Sequence, residues 1–351
     1  MSWYNSQEQQ NAHILWSKVR YARNIAALPF LPFADHSADK LDRFSKKLSE
    51  IMKVNGFHEH PLQKGACAEA LSLAEKQFID YSFATTTEAR SLFFNEPCNL
   101  TIFSGGEFHL NIQSLLSGMA LSEAHKIASE AEEMLDEELE FAYSDKLGYL
   151  ASDISLCGSG LELSVCLYLP AARHGSRYGD MKRKVALHGA DLSPFLAKYD
   201  NAGDLYVLSY IPSPTFDEKK AISNFSWLIN DLVNSEISCE RIIFANKSTI
   251  ISDRAWRAFG TLSFATMIDE EELLSLISRI RLSLALDATR ADSPPCSLQA
   301  LNTLTSEGLN GSIALAAGED CASLDDCRAH RSLEVKKYIL PLFASFGASA
   351  V

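Results

Sequence analysis

A chain of 351 residues, 47% hydrophobic and 22% charged, has room for two compact domains and is too balanced for a disordered or fibrous protein. Its 32 basic against 45 acidic side chains leave a formal charge of −13, which repels phosphate backbones and anionic lipid and makes nucleic acid a poor partner. The stretch Met1 to Glu8 lacks the basic-then-apolar pattern of a secretory signal, and no apolar run approaches membrane-spanning length; a cytoplasmic chain that binds no membrane is expected.

In chain order, Leu41, Phe44, Leu48, Ile51 and Met52 recur at three- and four-residue steps and predict a helix over 38–55, closed by Gly56. A second amphipathic stretch covers 66–81. Short β-like runs follow at 91–94, 100–103 and 109–113, the last two joined by Ser104-Gly105-Gly106, a hairpin-type connection. An acidic helix is predicted over 122–144, with Ile127, Ala131, Met134, Leu135 and Leu139 inward and its glutamates in water. From Leu161 to Leu169, Leu161, Leu163, Val165 and Leu167 alternate with Glu162, Ser164, Cys166 and Tyr168, the period of a strand. Another strand is predicted at 205–211. After it, the capping-box spacing of Thr215 and Glu218 opens a helix carrying Ile222, Phe225, Leu228, Ile229, Leu232 and Val233. Beyond the polar break Asn246-Lys247-Ser248 the pattern is helical, as at 252–262 and 270–286. The expectation is an α+β chain with one domain over 1–248 and an all-helical domain over 249–351.

Each candidate motif has a plain structural alternative. Lys18 and Arg20 fall on one face of an extended segment, where two cations can grip adjacent phosphate oxygens. Glu107 follows the glycine turn and offers a carboxylate for base or orienting work, or simply a solvated tip. Cys157-Gly158-Ser159-Gly160 lacks the strand-before, helix-after context of a nucleotide fingerprint and reads as a glycine turn. His58-Glu59-His60 has no nearby set to complete a metal site and reads as an exposed loop; no metal is expected. Arg173, His174, Arg177, Lys182, Arg183 and Lys184 form a basic cluster that reads as a water-facing loop and helix. The eight cysteines contain no C-x-x-C pair, so reduced thiols are expected.

Taken together in order, these pieces resemble the ATP:guanidino phosphotransferases, most closely the bacterial protein arginine kinases. Trp16-Ser17-Lys18-Val19-Arg20-Tyr21-Ala22-Arg23-Asn24 resembles the opening S-S-R-[IV]-R-L-A-R-N, and Gly106 to Gln113 resembles N-E-E-D-H-[IL]-R-I-Q. Leu147 to Ser152, continuing through Gly158 to Val165 and Leu169-Pro170, resembles L-G-Y-L-T-S-C-P-T-N-x-G-T-G-L-R-A-S-V with its trailing L-P. Asp253 to Ser263 resembles a stretch of the helical domain. The resemblance implies an antiparallel sheet flanked by helices, then an all-helical domain.

Such enzymes hold Mg-ATP with a nest of arginines, while carboxylates orient or deprotonate the acceptor guanidinium. By position, the resemblance implies Lys18 and Arg20 as phosphate contacts and Glu107 as the retained catalytic carboxylate. It also implies losses: Asn111 and Glu162 stand for two arginines, Asp153 for the reactive cysteine, and Gln77 for a histidine. The signature R-G-x-Y-G-E-G has no counterpart between Gly189 and Asp204; the least gapped placement sets Ser193 at its arginine and Lys198 at its glutamate. Asp191 or Asp200 substitutes only if that loop is re-threaded. Three lost arginine positions remove on the order of 5 to 9 kcal/mol of phosphate interaction. Glu162 adds a repulsion of up to about 4 kcal/mol. The implied protein is a pseudokinase serving as a binding or regulatory scaffold. The alternative is a divergent active kinase whose cage is rebuilt from Lys18, Arg20, Arg23, Arg177 and Lys182, with Glu107 and Asp200 on the guanidinium. Relatives further imply a homodimer through the helical domain, a zinc-binding adaptor and a Clp-type protease in protein quality control. Their R-D-x-x-R-A motif is garbled in Asp325 to Arg331. The run Tyr338 to Phe343 is expected to pack on the helical domain.

Overall fold

The computed structural model describes residues 2–6, 11–30, 38–63, 65–86, 90–174, 177–199, 202–213, 217–245, 247–286, 293–318, 321 and 323–349. The chain begins with strand β1 (Ile14–Arg23), helix α1 (Ala38–Val54), the short β2 (His58–Glu59), then α2 (Ala68–Glu75) and α3 (Tyr81–Thr85). Strands β3 (Ser91–Phe94), β4 (Leu100–Ser104) and β5 (Leu110–Ser117) lead into α4 (Leu121–Glu138), the two-residue strands β6 (Tyr143–Ser144) and β7 (Gly148–Tyr149), and β8 (Leu161–Tyr168). Next come α5 (Pro170–His174), α6 (Tyr178–Leu187), β9 (Ala190–Pro194) and β10 (Leu205–Tyr210). The remainder is helical: α7 (Glu218–Phe244), α8 (Ser248–Phe264), α9 (Glu270–Leu286), α10 (Leu298–Glu307), α11 (Asn310–Ala317) and α12 (Leu324–Ser349). Among the described residues no helix is long and apolar enough to cross a membrane.

Eight strands form one sheet in the order β2-β3-β4-β5-β1-β8-β10-β9, and the pairings from β2 through β1 are antiparallel. By compactness the chain divides into one unit of residues 1–3, 16–165 and 209–227, and a second of 4–15, 166–208 and 228–351. This division does not coincide with a single cut after residue 248, because strands β1, β8 and β10 each contribute residues to both units.

In the first unit, α4 lies on β5, and Ile79, Phe83, Leu92 and Phe103 form an apolar cluster with Ala70, Ala74 and Ala84. The predicted helix over 66–81 breaks at Gln77, whose φ of 67° lies in the left-handed region, and resumes as α3. The predicted helix over 122–144 ends at residue 138. There Leu139 turns extended, so that Ala26 N–H donates to Glu140 O and Ala142 N–H to Asn24 O, and backbone pairing with the end of β1 replaces further helix. His58 and Glu59 are exposed on β2, and His60 Nε2 meets Glu69 at 2.9 Å.

In the second unit, α8, α9, α10 and α12 share a core of Phe259, Leu262, Leu273, Ile277, Leu301, Val335 and Ile339. Ile339 and Leu342 of the C-terminal run pack into it, whereas Tyr338 and Leu340 stay partly exposed. Strand β9 was not predicted: five residues, Ala-Asp-Leu-Ser-Pro, are too short to declare a period. The reduced-thiol expectation is corrected at one place. Cys321 and Cys327, with Cα atoms 5.1 Å apart where the chain enters α12, are disulfide-bonded, a separation that suits a bridge. The other six cysteines are free.

Candidate functional site

Strand alternation builds the site. Val19 and Tyr21 of β1 are buried on one face, and Lys18 and Arg20 point to the other. The β1–β5 register sets Gln113 opposite Arg20 and Asn111 opposite Ala22, and the β4–β5 register sets Phe103 opposite Asn111. Arg20, Asp80, Phe83, Phe103, Glu107 and Asn111 line a cleft of about 220 Å³.

Arg20 is held from two sides. Its Nη1 donates to the Asp80 carboxylate, which precedes α3, and its Nη2 donates to the Glu162 carboxylate of β8. The Arg20 side chain is 14% exposed and its partners 31% and 19%. Burial alone would lower the guanidinium pKa, but the two carboxylates outweigh it and raise it above its ordinary value. For Lys18 the balance is opposite: burial lowers the amine pKa, Arg20 adds to that, and the attraction of Asp80 and Glu162 opposes without reversing it. Three polar atoms here are buried without a hydrogen-bond partner among the described residues: Arg20 Nε, Asn111 Oδ1 and Gln113 Oε1.

The turn that delivers Asp80 is fixed by the sheet. Gln113 Nε2 donates to Gln77 O at 2.8 Å and to Phe78 O at 3.2 Å, holding the left-handed Gln77 in place. Asp80 sits at the N-cap of α3 yet makes no side-chain capping bond. Glu107, in the β4–β5 connection, is exposed, while Phe108 beside it is buried against Ala22, Ala151 and Leu156. His109 staples that connection. Ile25 N–H donates to its Nδ1 at 2.9 Å, which leaves the proton on Nε2 for the Pro29 carbonyl at 2.8 Å. Burial lowers the His109 pKa against the pull of that carbonyl bond, so the ring is neutral at pH 7.

Lys18, Arg20, Glu107, Asn111 and Glu162 thus gather in the first unit, and Gln77 joins them through its carbonyl. Asp153 does structural work instead, accepting from Ser155 N–H at 2.8 Å to cap the turn at 154–156. Ser193 lies on β9 and Lys198 is paired with Glu270, both in the second unit. Asp200 lies outside the described residues, and Asp191 is an exposed residue of β9.

Of three further cations named for a rebuilt phosphate cage, Arg23 and Arg177 have other partners. Arg23 is buried: Nε donates to Glu132 at 2.8 Å, Nη1 to the Ser159 carbonyl at 2.8 Å, and its guanidinium lies 3.8 Å from the Tyr149 ring centre. The glycine turn before β8 serves this knot. A Cβ on Gly160 would come within 2.4 Å of Arg23 Nη1 and 2.6 Å of Ala22 O, so a larger residue has no room. Arg177 donates to Cys239 Sγ, and Lys182 is exposed on α6 in the second unit. Sequence reasoning missed Asp80 altogether; it lies in no motif, and only the tertiary pairing reveals it.

Three carboxylates, Asp80, Glu107 and Glu162, stand here against two cations, and the arginine already has an anion at each end of its fork. These residues do not fit a nucleoside triphosphate.

Residues 40–239 match the family model described as ATP:guanido phosphotransferase, C-terminal catalytic domain. That is more than half of the chain, and the chain belongs to the ATP:guanido phosphotransferase family. Within it the scaffold is protein-arginine-kinase-like. A protein-arginine kinase of Halothermothrix orenii is 28% identical over 286 residues, covering 80% of this chain and 81% of that protein. Another, of Caldanaerobacter subterraneus, is 26% identical over 299 residues, covering 84% and 87%. Among solved structures, the duplicated taurocyamine kinase of Schistosoma mansoni with bound transition-state-analogue components aligns with a TM-score of 0.55 at 17% identity. That alignment covers 72% of this chain but only 39% of the kinase's length. Lombricine kinase aligns with a TM-score of 0.50 at 18% identity, over 66% and 68%. These likenesses establish the phosphagen-kinase fold.

Proposed function

We propose that this chain is a pseudokinase: a protein-arginine-kinase-like scaffold that has given up nucleotide chemistry and acts as a binding or regulatory protein. The observation that carries the reading is the commitment of Arg20 to Asp80 and Glu162. A triphosphate entering this cleft would have to break two charge-assisted pairs and lie against their carboxylates. Each such hydrogen bond contributes roughly 1.5 to 3 kcal/mol. With Asn111 in place of a further cation, the described residues that line the cleft offer no positive charge beyond Arg20 to make up that loss.

The rival reading, an active protein arginine kinase using Mg-ATP, draws on Glu107, which keeps the position of a catalytic carboxylate and is exposed to the cleft. It also requires Arg23 and Arg177, whose guanidinium groups are engaged elsewhere. Mass spectrometry of basic protein substrates incubated with the chain and Mg-ATP distinguishes the two. The pseudokinase reading predicts no phosphoarginine; turnover that disappears in Glu107→Ala establishes the rival.

Residues 249–351 are proposed as the interaction domain, with homodimerisation through its helices. Light scattering of the full chain over a range of concentrations tests this, a full chain that remains monomeric ruling it out. A zinc-binding adaptor and a Clp-type protease, in protein quality control, belong to the same proposal. Co-purification with each partner individually tests it.

A further inference from the structure

The carboxylate at Glu162 is a charge reversal on a strand, fixed by its place in β8. Asp80 is different: it comes from a turn, 60 residues from Arg20 in sequence, and reaches the guanidinium from the opposite end of the fork. An arginine recognises phosphate through pairs of adjacent N–H groups. Here Nη1 donates to Asp80 and Nη2 to Glu162, while Nε is buried, so every adjacent pair of nitrogens that could grip an incoming anion already has at least one member committed to a carboxylate.

The turn that presents Asp80 is built for that purpose. Ile79 and Phe83 on either side of it are buried in the cluster with Leu92 and Phe103. Gln77 holds a left-handed φ of 67°, a conformation unfavourable for a residue with a side chain, and Gln113 from the neighbouring strand pins the carbonyls of Gln77 and Phe78. An aspartate at an N-cap ordinarily accepts a backbone N–H of its own helix. Asp80 does not, and spends its carboxylate on Arg20 instead.

We infer that Asp80 is the specificity-determining residue of this cleft: a tethered anion, carried by the chain itself, that fills the phosphate-recognising fork of Arg20 and closes the site to external phosphate groups. This rests on the pseudokinase reading and adds to it. Reversing Glu162 alone does not reopen the site, because Asp80 remains on Nη1.

The test is calorimetric titration of the full chain with magnesium pyrophosphate. Wild type and Glu162→Arg are expected to show no saturable binding. Asp80→Asn combined with Glu162→Arg is expected to bind at least about tenfold more tightly than Glu162→Arg alone, and to lose that gain when Arg20→Ala is added. Since Glu162→Arg places two guanidinium groups together, at a cost to folding, the isosteric pair Asp80→Asn with Glu162→Gln is titrated in parallel against Glu162→Gln, each checked by its melting curve. The inference is overturned if the folded double variants gain nothing over the Glu162 single variants, or if a Glu162 single variant binds as tightly as its double. Saturable binding by the wild type, lost in Arg20→Ala, instead overturns the pseudokinase reading itself.

Discussion

Two arginines three residues apart on β1 meet opposite fates. Arg23 is locked into a closed knot of Glu132, two main-chain carbonyls and the face of Tyr149, and Gly160 leaves room for nothing else. Arg20 lies in a cleft between two partly exposed carboxylates, with its Nε unsatisfied. The first is an arrangement that folding requires. In the second, the guanidinium faces a cleft and is paired with carboxylates that keep access to water. Both arginines lie within the opening motif, and only their surroundings separate the enclosed cation from the one that faces the cleft.

The largest effect expected from breaking this contrast is at Arg23. Arg23→Ala leaves Glu132 buried without its partner and removes a stacked guanidinium, for a loss of about 3 to 5 kcal/mol in denaturant unfolding. Arg20→Met is expected to cost less, roughly 1 to 3 kcal/mol, because Asp80 and Glu162 retain access to water. Equal losses in the two variants would erase the distinction between knot and cleft.

A third buried charge, in the second unit, sharpens the comparison through pH. Glu236 accepts the Ala171 and Ala172 N–H groups, yet burial, with Glu240 adding to it, pushes its pKa up to about 7. A carboxyl whose pKa is higher folded than unfolded binds more protons when folded, so its contribution to stability is present at pH 4 and lost as pH rises towards 7. Wild type is therefore expected to lose on the order of 2 kcal/mol from this group between pH 5 and pH 8, and Glu236→Gln to flatten that slope. Unfolding measured at both pH values checks it; a slope unchanged in the variant assigns the pH dependence to other groups. The smallest effect is at Glu107, where Glu107→Ala is expected to change stability by less than about 0.5 kcal/mol, since the side chain is exposed.

Much of this was legible in the residues. Periodicity marked β3, β8, α1 and α9 closely, because each buries one face at a regular interval. The motifs also name Lys18, Arg20, Glu107, Asn111 and Glu162, all of which lie in the first unit. What periodicity smoothed over was the break at Gln77, where a bond from Gln113 on another strand overrides helical spacing. It missed the end of α4 for the same reason, since pairing with the end of β1 decides it. Asp80 was invisible because its partner is remote in sequence and because it falls inside the amphipathic stretch read over 66–81.

The most direct test is a calorimetric titration of the wild-type chain with Mg-ATP, repeated with Arg20→Ala. With Arg20 already neutralised by the chain's own carboxylates, neither protein should show saturable binding up to millimolar nucleotide. Saturable binding at submillimolar nucleotide by the wild type, abolished in Arg20→Ala, would contradict the account.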